Sequence, residues 1–284
     1  MAQEQRVLLA VLAHPDDETF GTGGTLALYA RRGVAVHLVC ATRGEVGDVD
    51  AEHMKGYATV AELRESELRC AAGILGLTGV HFLNYRDSGM PGSVDNSHPQ
   101  ALAAQPVDKV AGEVAHYIRL LRPQVLITFD PIGGYRHPDH IAIQRATVRA
   151  FEMLRDGQPS AADDLPPFVP QKMYFSTIPR GFLRFVVRLM RLVGRDPSHF
   201  GKNKDIDIAS LAEVNFPINA RINFKAVASI KDEASACHAS QGGDNGLSIG
   251  NRIRKLFFSS EMYMRAYPPP VPGYNEKDLF EGIK

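Results

Sequence analysis

Two short segments carry side chains that could hold a metal ion and activate water: Ala13-His14-Pro15-Asp16-Asp17-Glu18 and Tyr135-Arg136-His137-Pro138-Asp139-His140. Histidines and aspartates from both, brought to one place, supply a mixed nitrogen and oxygen site. Imidazole with carboxylate suits zinc and related divalent ions, and three protein ligands leave a position for water. A proline follows a histidine in each segment; its fixed φ holds the preceding residue extended and the loop in shape. Taken singly, each segment has an ordinary explanation. Asp16, Asp17 and Glu18 suit the start of a helix, and histidines in a polar loop need bind nothing. Occurring together, each shortly after an apolar run, the two point to a metal centre.

The elements that must position them alternate strand and helix signals. Val7 to Leu12 is a continuous apolar run, the pattern of a strand buried on both faces. Helical spacing follows over Gly21 to Arg32, then a strand over Val34 to Cys40. A long helix over Ala58 to Leu77, broken around Gly73 and Gly76, leads to a short strand over Val80 to Leu83. Ala111 to Leu121 is helical, Val125 to Phe129 a strand, and Ile141 to Leu154 a helix. Repeated strand, crossover helix and strand predict an α/β fold, a mostly parallel, Rossmann-like sheet with helices on both faces. Ligands in such sheets sit beyond the carboxyl ends of the strands, where both segments fall.

Residues 1–160 are expected to form the catalytic domain and 161–284 a C-terminal portion packed on it and completing the pocket. In that portion, Ser160 to Pro170 reads as a loop, Met173 to Thr177 as a strand and 195–208 as a polar loop. Arg221 to Ser240 reads as one helix and Pro268 to Pro272 as a proline-rich turn.

The chain has 284 residues, 44% hydrophobic and 23% charged, with 32 basic residues balancing 32 acidic ones. No global field draws it to nucleic acid. Cys40, Cys70 and Cys237 are odd in number, far apart and without a CxxC pair, so neither a disulfide framework nor a thiolate zinc site is expected. No apolar run reaches the length of a membrane span, and a reducing cytoplasm is the default expectation.

The AHPDDE and HPDH elements resemble those of the LmbE-like/PIG-L superfamily of zinc deacetylases, and within it the amide hydrolases of mycothiol metabolism. The likeness runs from Val7 to about Leu154 and resumes near Lys231 to Gln241. It implies that His14, Asp17 and His140 bind the metal (zinc, with ferrous iron as the other ion) and that Asp16 is the general base. It further implies that His137 stabilises or protonates the tetrahedral intermediate and that Tyr135 polarises the substrate carbonyl. Asp139 is expected to orient His137, as carboxylates behind an active-site imidazole often do. Arg64 and Asp87 match the family's positions for sugar hydroxyls, although an i,i+3 pair with Glu67 and a turn before Ser88-Gly89 explain them as simply. His238 and Gln241 match a further short pattern, with helix-end capping as the plainer reading. Gly44-Glu45 is either a pocket wall or a strand-end turn.

The sequence departs from those enzymes twice. Arg136 stands where they usually have glycine. Residues 180–195 place Arg184, Arg188, Arg191 and Arg195 at i, i+4, i+7 and i+11, one basic stripe beside a broad apolar face. The first reading of that stripe is packing against the domain or against a neighbour in a homo-oligomer; the second is a membrane-surface or lid segment. The expected activity is hydrolysis of the N-acyl group of a small N-acetylglucosamine-containing molecule. The alternatives are a broader amidase acting on thiol conjugates, and a non-catalytic nucleotide- or metal-binding module using the turn Gly21-Thr22-Gly23-Gly24.

Overall fold

The computed structural model describes residues 5–158, 164–199, 207–243 and 259–283. Strand β1 (Val7–Leu12) runs into the short helix α1 (Asp17–Phe20) and then α2 (Gly23–Arg31). Next come β2 (Ala35–Thr42), α3 (Val60–Leu75), β3 (Gly79–Tyr85), α4 (Val107–Leu121) and β4 (Val125–Phe129). The turn α5 (Gly133–Arg136) precedes α6 (Pro138–Arg155), β5 (Lys172–Thr177), α7 (Arg180–Leu192) and α8 (Ile208–Leu211). The chain closes with β6 (Ala220–Asn223), α9 (Ala228–Ala236) and β7 (Ser260–Tyr267).

One sheet takes the order β3-β2-β1-β4-β5-β7-β6. Its first five strands are parallel, whereas β7 pairs antiparallel with both β5 and β6. Leu8, Leu9, Ala10, Val11 and Leu12 of β1 are buried, as are all five residues of β4. That two-sided burial is why both strands read as unbroken apolar runs. Because β1 and β4 are neighbours and parallel, their carboxyl ends deliver the two polar segments to the same edge of the sheet.

The structure differs from expectation in three places. Helix α3 continues through Gly73 and stops only at Gly76, whose left-handed φ of 79° closes it. The single helix expected over 221–240 is instead β6, a turn and the shorter α9. Ala220 and Ile222 are buried while Arg221 and Asn223 are exposed, a period of two that the apolar count obscured. Strand β7 was not anticipated. It places Glu261 under the start of α2, where the carboxylate accepts from Gly24 N (3.0 Å) and Thr25 N (2.8 Å) and is paired with Lys231 (2.6 Å). An anion at a helix start is favoured by the dipole, and this one joins the late sheet to the early one. It also occupies the backbone donors that a phosphate would need at Gly21-Thr22-Gly23-Gly24.

A further correction concerns the cysteines. Cys70 within α3 and Cys237 after α9 form a disulfide, with Cα atoms 5.9 Å apart and a sequence separation of 167; Cys40 is free and buried. Sequence separation hid a pair that tertiary packing of α9 on α3 brings together.

Candidate active site and metal centre

His14 leaves the end of β1 and His140 sits in the first turn of α6. Their rings are held so that one nitrogen of each points at the other: His14 Nδ1 and His140 Nε2 are 3.2 Å apart. Asp17 faces both, with Oδ2 3.6 Å from His14 Nδ1 and Oδ1 3.3 Å from His140 Nε2. Ligands of a tetrahedral ion bound at about 2.0–2.1 Å stand about 3.3–3.4 Å from one another, and the two imidazole nitrogens, each with an Asp17 oxygen beside it, are spaced on that scale.

The opposite side of each ring supports this geometry. His140 Nδ1 lies 3.1 Å from the carbonyl of Gly133, to which it donates, and the ring stacks on Phe129 at 3.9 Å. His14 Nε2 is 3.1 Å from Asp139 Oδ2 and 3.5 Å from Asp87 Oδ1. Each imidazole thus turns one nitrogen outward to an acceptor and the other inward, the arrangement that orients histidine ligands. His14, Asp87 and Asp139 also lie close enough to form a metal-binding group, as do His14, His137 and His140. The two carboxylates already accept hydrogen bonds, however: Asp139 from Ser88 N (2.9 Å), from the Ser88 hydroxyl and from His14, and Asp87 from Gly89 N (2.8 Å). Asp139 therefore braces His14, not His137 as expected. Ser88, which holds Asp139, has no sequence signal beyond its place in Asp87-Ser88-Gly89.

Electrostatics separate the groups. Burial opposes charge on Asp17, yet the His140 and His14 imidazoles hold its carboxyl well below the usual range. Burial pushes the His140 imidazole down to about 4, leaving it neutral. Burial also disfavours charge on His14, but the carboxylates of Asp87, Asp139 and Asp17 outweigh it and raise its pKa. Asp16 behaves oppositely to its neighbour: burial raises it to about 7 against the opposing Arg64 cation, with Asp17 adding to the rise. A carboxylate tuned to neutrality is suited to proton transfer.

Asp16 is held in a strained position. Its φ of 119° is a conformation L residues rarely adopt. Three contacts hold it there. Its backbone N–H donates to Glu18 Oε2 (2.9 Å), Arg64 Nη2 donates to Asp16 Oδ2 (3.0 Å), and the same Arg64 nitrogen donates to Pro15 O (2.6 Å). Arg64 is itself fixed through Nη1 to Gly44 O (3.0 Å), and a Cβ on Gly44 would overlap the guanidinium. Gly44 is thus needed where Arg64 approaches. Arg64 does not pair with Glu67, which instead accepts from Ser240 N (2.9 Å) and Oγ (2.8 Å). Glu18 is wholly buried and accepts from His238 Nε2 at 2.7 Å. His238 is therefore neither a helix cap nor simple packing: it ties the C-terminal part to the Asp16 turn. Gln241 donates to Ser240 Oγ at 3.1 Å. Glu45 accepts from Arg43 N at 3.1 Å.

His137 caps α6, its Nδ1 accepting from Asp139 N (3.2 Å). The proton therefore sits on Nε2. Burial and the neighbouring His14 and His140 push its pKa to about 2, so this imidazole is a neutral donor, not a cation. Tyr135 packs with its ring centre 4.9 Å from that of His140, and burial raises its hydroxyl pKa, keeping it protonated. Arg136 is exposed with φ 70°, the left-handed region. That backbone favours glycine and makes arginine here costly.

A parallel α/β sheet with a histidine-carboxylate cluster at its carboxyl edge is the frame of a metal-dependent hydrolase, and the chain belongs to the PIG-L family. The family model described as "GlcNAc-PI de-N-acetylase" matches residues 9–151, and the family is one of deacetylases, amide hydrolases. Among similar proteins is the 1D-myo-inositol 2-acetamido-2-deoxy-alpha-D-glucopyranoside deacetylase of Acidothermus cellulolyticus, 36% identical over 98% of this chain and 95% of its own length. The protein of the same name from Thermobifida fusca is 36% identical over 97% of this chain and 99% of its own. Among solved structures, the N,N'-diacetylchitobiose deacetylase of Pyrococcus horikoshii shares the fold with a TM-score of 0.62, at 19% identity over 92% of this chain and 84% of that one.

Proposed function

We propose that the protein removes the acetyl group from the amino-sugar nitrogen of a small N-acetylglucosaminyl-inositol compound, at a zinc ion held by His14 Nδ1, Asp17 and His140 Nε2. The observation that carries this reading is the convergence of His14 Nδ1, His140 Nε2 and the Asp17 carboxylate, with Asp16, raised to about 7, beside them. The substrate class rests on the two relatives named for that glycoside.

A divalent ion at this place, zinc or ferrous iron, supplies Lewis acidity and makes water acidic enough to be deprotonated near neutral pH. Asp16 takes the proton of the attacking water. His137 donates from Nε2 to the carbonyl oxygen as it gains charge, and the Tyr135 hydroxyl is a second donor there. When the C–N bond breaks, the proton held by Asp16 passes to the leaving amine, giving acetate and the free amino sugar. Arg64 and Asp87 meet the sugar hydroxyls while bracing Asp16 and His14; Arg64 Nε is a buried donor without a hydrogen-bond partner among the described residues. From the C-terminal portion, His238 supports the pocket through Glu18.

The test is release of free amine from N-acetylglucosaminyl-inositol, run beside an amide of a thiol conjugate. Turnover of the glycoside with at least a hundredfold preference in kcat/KM supports the proposal. Preference for the thiol conjugate transfers the site to the amidase reading, and turnover of neither rejects the substrate class.

A further inference from the structure

Helix α7 spends only one side on the fold. Leu183, Val186, Val187 and Met190 pack with Ile208 and Ala212, a small cluster separate from the main core. Turned roughly half a revolution away, Phe185 is 62% exposed, Leu189 51% and Leu192 83%, and Val193 beyond the helix is 63% exposed. Solvent-facing apolar residues at i, i+4 and i+7 form a continuous strip, not the scattered singles of an ordinary surface.

Between that strip and the packed side run Arg184, Arg188 and Arg191, continued by Arg195, all four exposed. No acidic residue occurs from 180 to 195, and none of the four is ion-paired among the described residues. Arg180, at the start of the helix, is instead bound by its Nε to Ala212 O at 2.6 Å.

We propose that α7 is an interfacial helix that rests on an anionic lipid surface. Three observations select this occupant. The exposed strip is apolar and flanked by a basic stripe, the pairing that suits acyl chains beneath negatively charged headgroups. With thirteen residues, α7 is too short to cross a bilayer and suited to lie along one. A second copy of the chain docked on this face would bring the same four arginines and no acid within the segment to meet them. Position adds a consequence. Helix α7 leaves the carboxyl end of β5, the neighbour of β4 in the parallel sheet. It therefore springs from the same sheet edge as the His14 and His140 loops, and lipid docking holds that edge near the membrane surface. The inference does not depend on the reaction assigned to the site.

Sedimentation of the full chain with vesicles of phosphatidylglycerol and phosphatidylcholine, against phosphatidylcholine alone, tests it. Binding to the anionic vesicles only, weakened by salt, is expected. Each arginine near such a surface is worth roughly a fivefold change in partitioning, so R184Q/R188Q/R191Q lowers binding by on the order of a hundredfold. L189E/L192E abolishes it. Both variants keep wild-type melting temperature and wild-type turnover of a dissolved substrate. Wild-type protein that stays in the supernatant, or a triple arginine variant that binds as wild type, overturns the proposal. So does an L189E/L192E variant that turns a dimer into a monomer by light scattering while the wild type ignores vesicles, because the face then belongs to a second copy.

Discussion

The loop after β1 and the loop entering α6 each give a histidine to the same cluster, yet they are held in different ways. The second is fixed largely by its own neighbourhood, beside the hydrogen bonds from Ser88 to Asp139. His137 accepts from Asp139 N, His140 donates to Gly133, and Asp130 accepts from Ile132 N and Gly134 N. The first is fixed from afar. Asp16 keeps its strained φ because Arg64 reaches it from α3 and because Glu18, locked to His238 beyond α9, accepts its backbone N–H. The difference teaches that the Asp16 carboxylate has supports of its own, Arg64 and the Glu18–His238 pair, beside those that hold His140. Residues distant in sequence can therefore alter proton transfer without loosening the ion.

The largest expected effect comes from removing the base itself. Asp16→Ala lowers kcat by about 10²–10⁴-fold, checked by amine release at saturating substrate. Next is the remote brace. His238→Ala lowers kcat by about 10–100-fold, the usual cost of losing a partner behind an active-site group. KM and metal content stay near wild type, and His238→Gln, which keeps a donor towards Glu18, restores part of the rate. An equal loss on His137→Gln and His238→Ala, both with loss of metal, breaks the comparison.

The pH profile sharpens it further. Asp16 acts as a base only when ionised, so kcat/KM rises through about pH 7 and falls below it, as its raised pKa requires. Arg64 lowers that pKa by favouring the carboxylate. Arg64→Met therefore moves the acid limb to higher pH, and a limb that stays in place or moves down separates Arg64 from Asp16. The smallest effect is local. Arg136→Gly relieves a left-handed residue on the other loop and raises unfolding stability by about 1 kcal/mol, measured by urea denaturation.

What the sequence revealed follows the same division. β1 and β4 are buried on both faces, so their apolar runs were legible, and the two polar segments behind them located the cluster. The roles within it depend on tertiary contacts. Asp139 was read with His137 because the two are close in sequence, whereas folding sets its carboxylate against His14 from β1. Glu18 looked like part of a helix start and is a buried partner of a residue 220 positions away. The late strands escaped for a physical reason as well. β6 is four residues long, and β7 gains its order by pairing antiparallel with β5, neither of which leaves a strong local pattern. The Cys70–Cys237 pair is invisible for the same cause.

Separate roles for ligand and base are tested most directly by metal content after substitution. Elemental analysis of purified His14→Ala and Asp16→Ala, read beside turnover, distinguishes the two functions. Asp16→Ala is expected to keep about one equivalent of divalent metal with turnover lost, and His14→Ala to keep neither metal nor turnover. Metal retained in His14→Ala, or lost from Asp16→Ala, contradicts this division of roles.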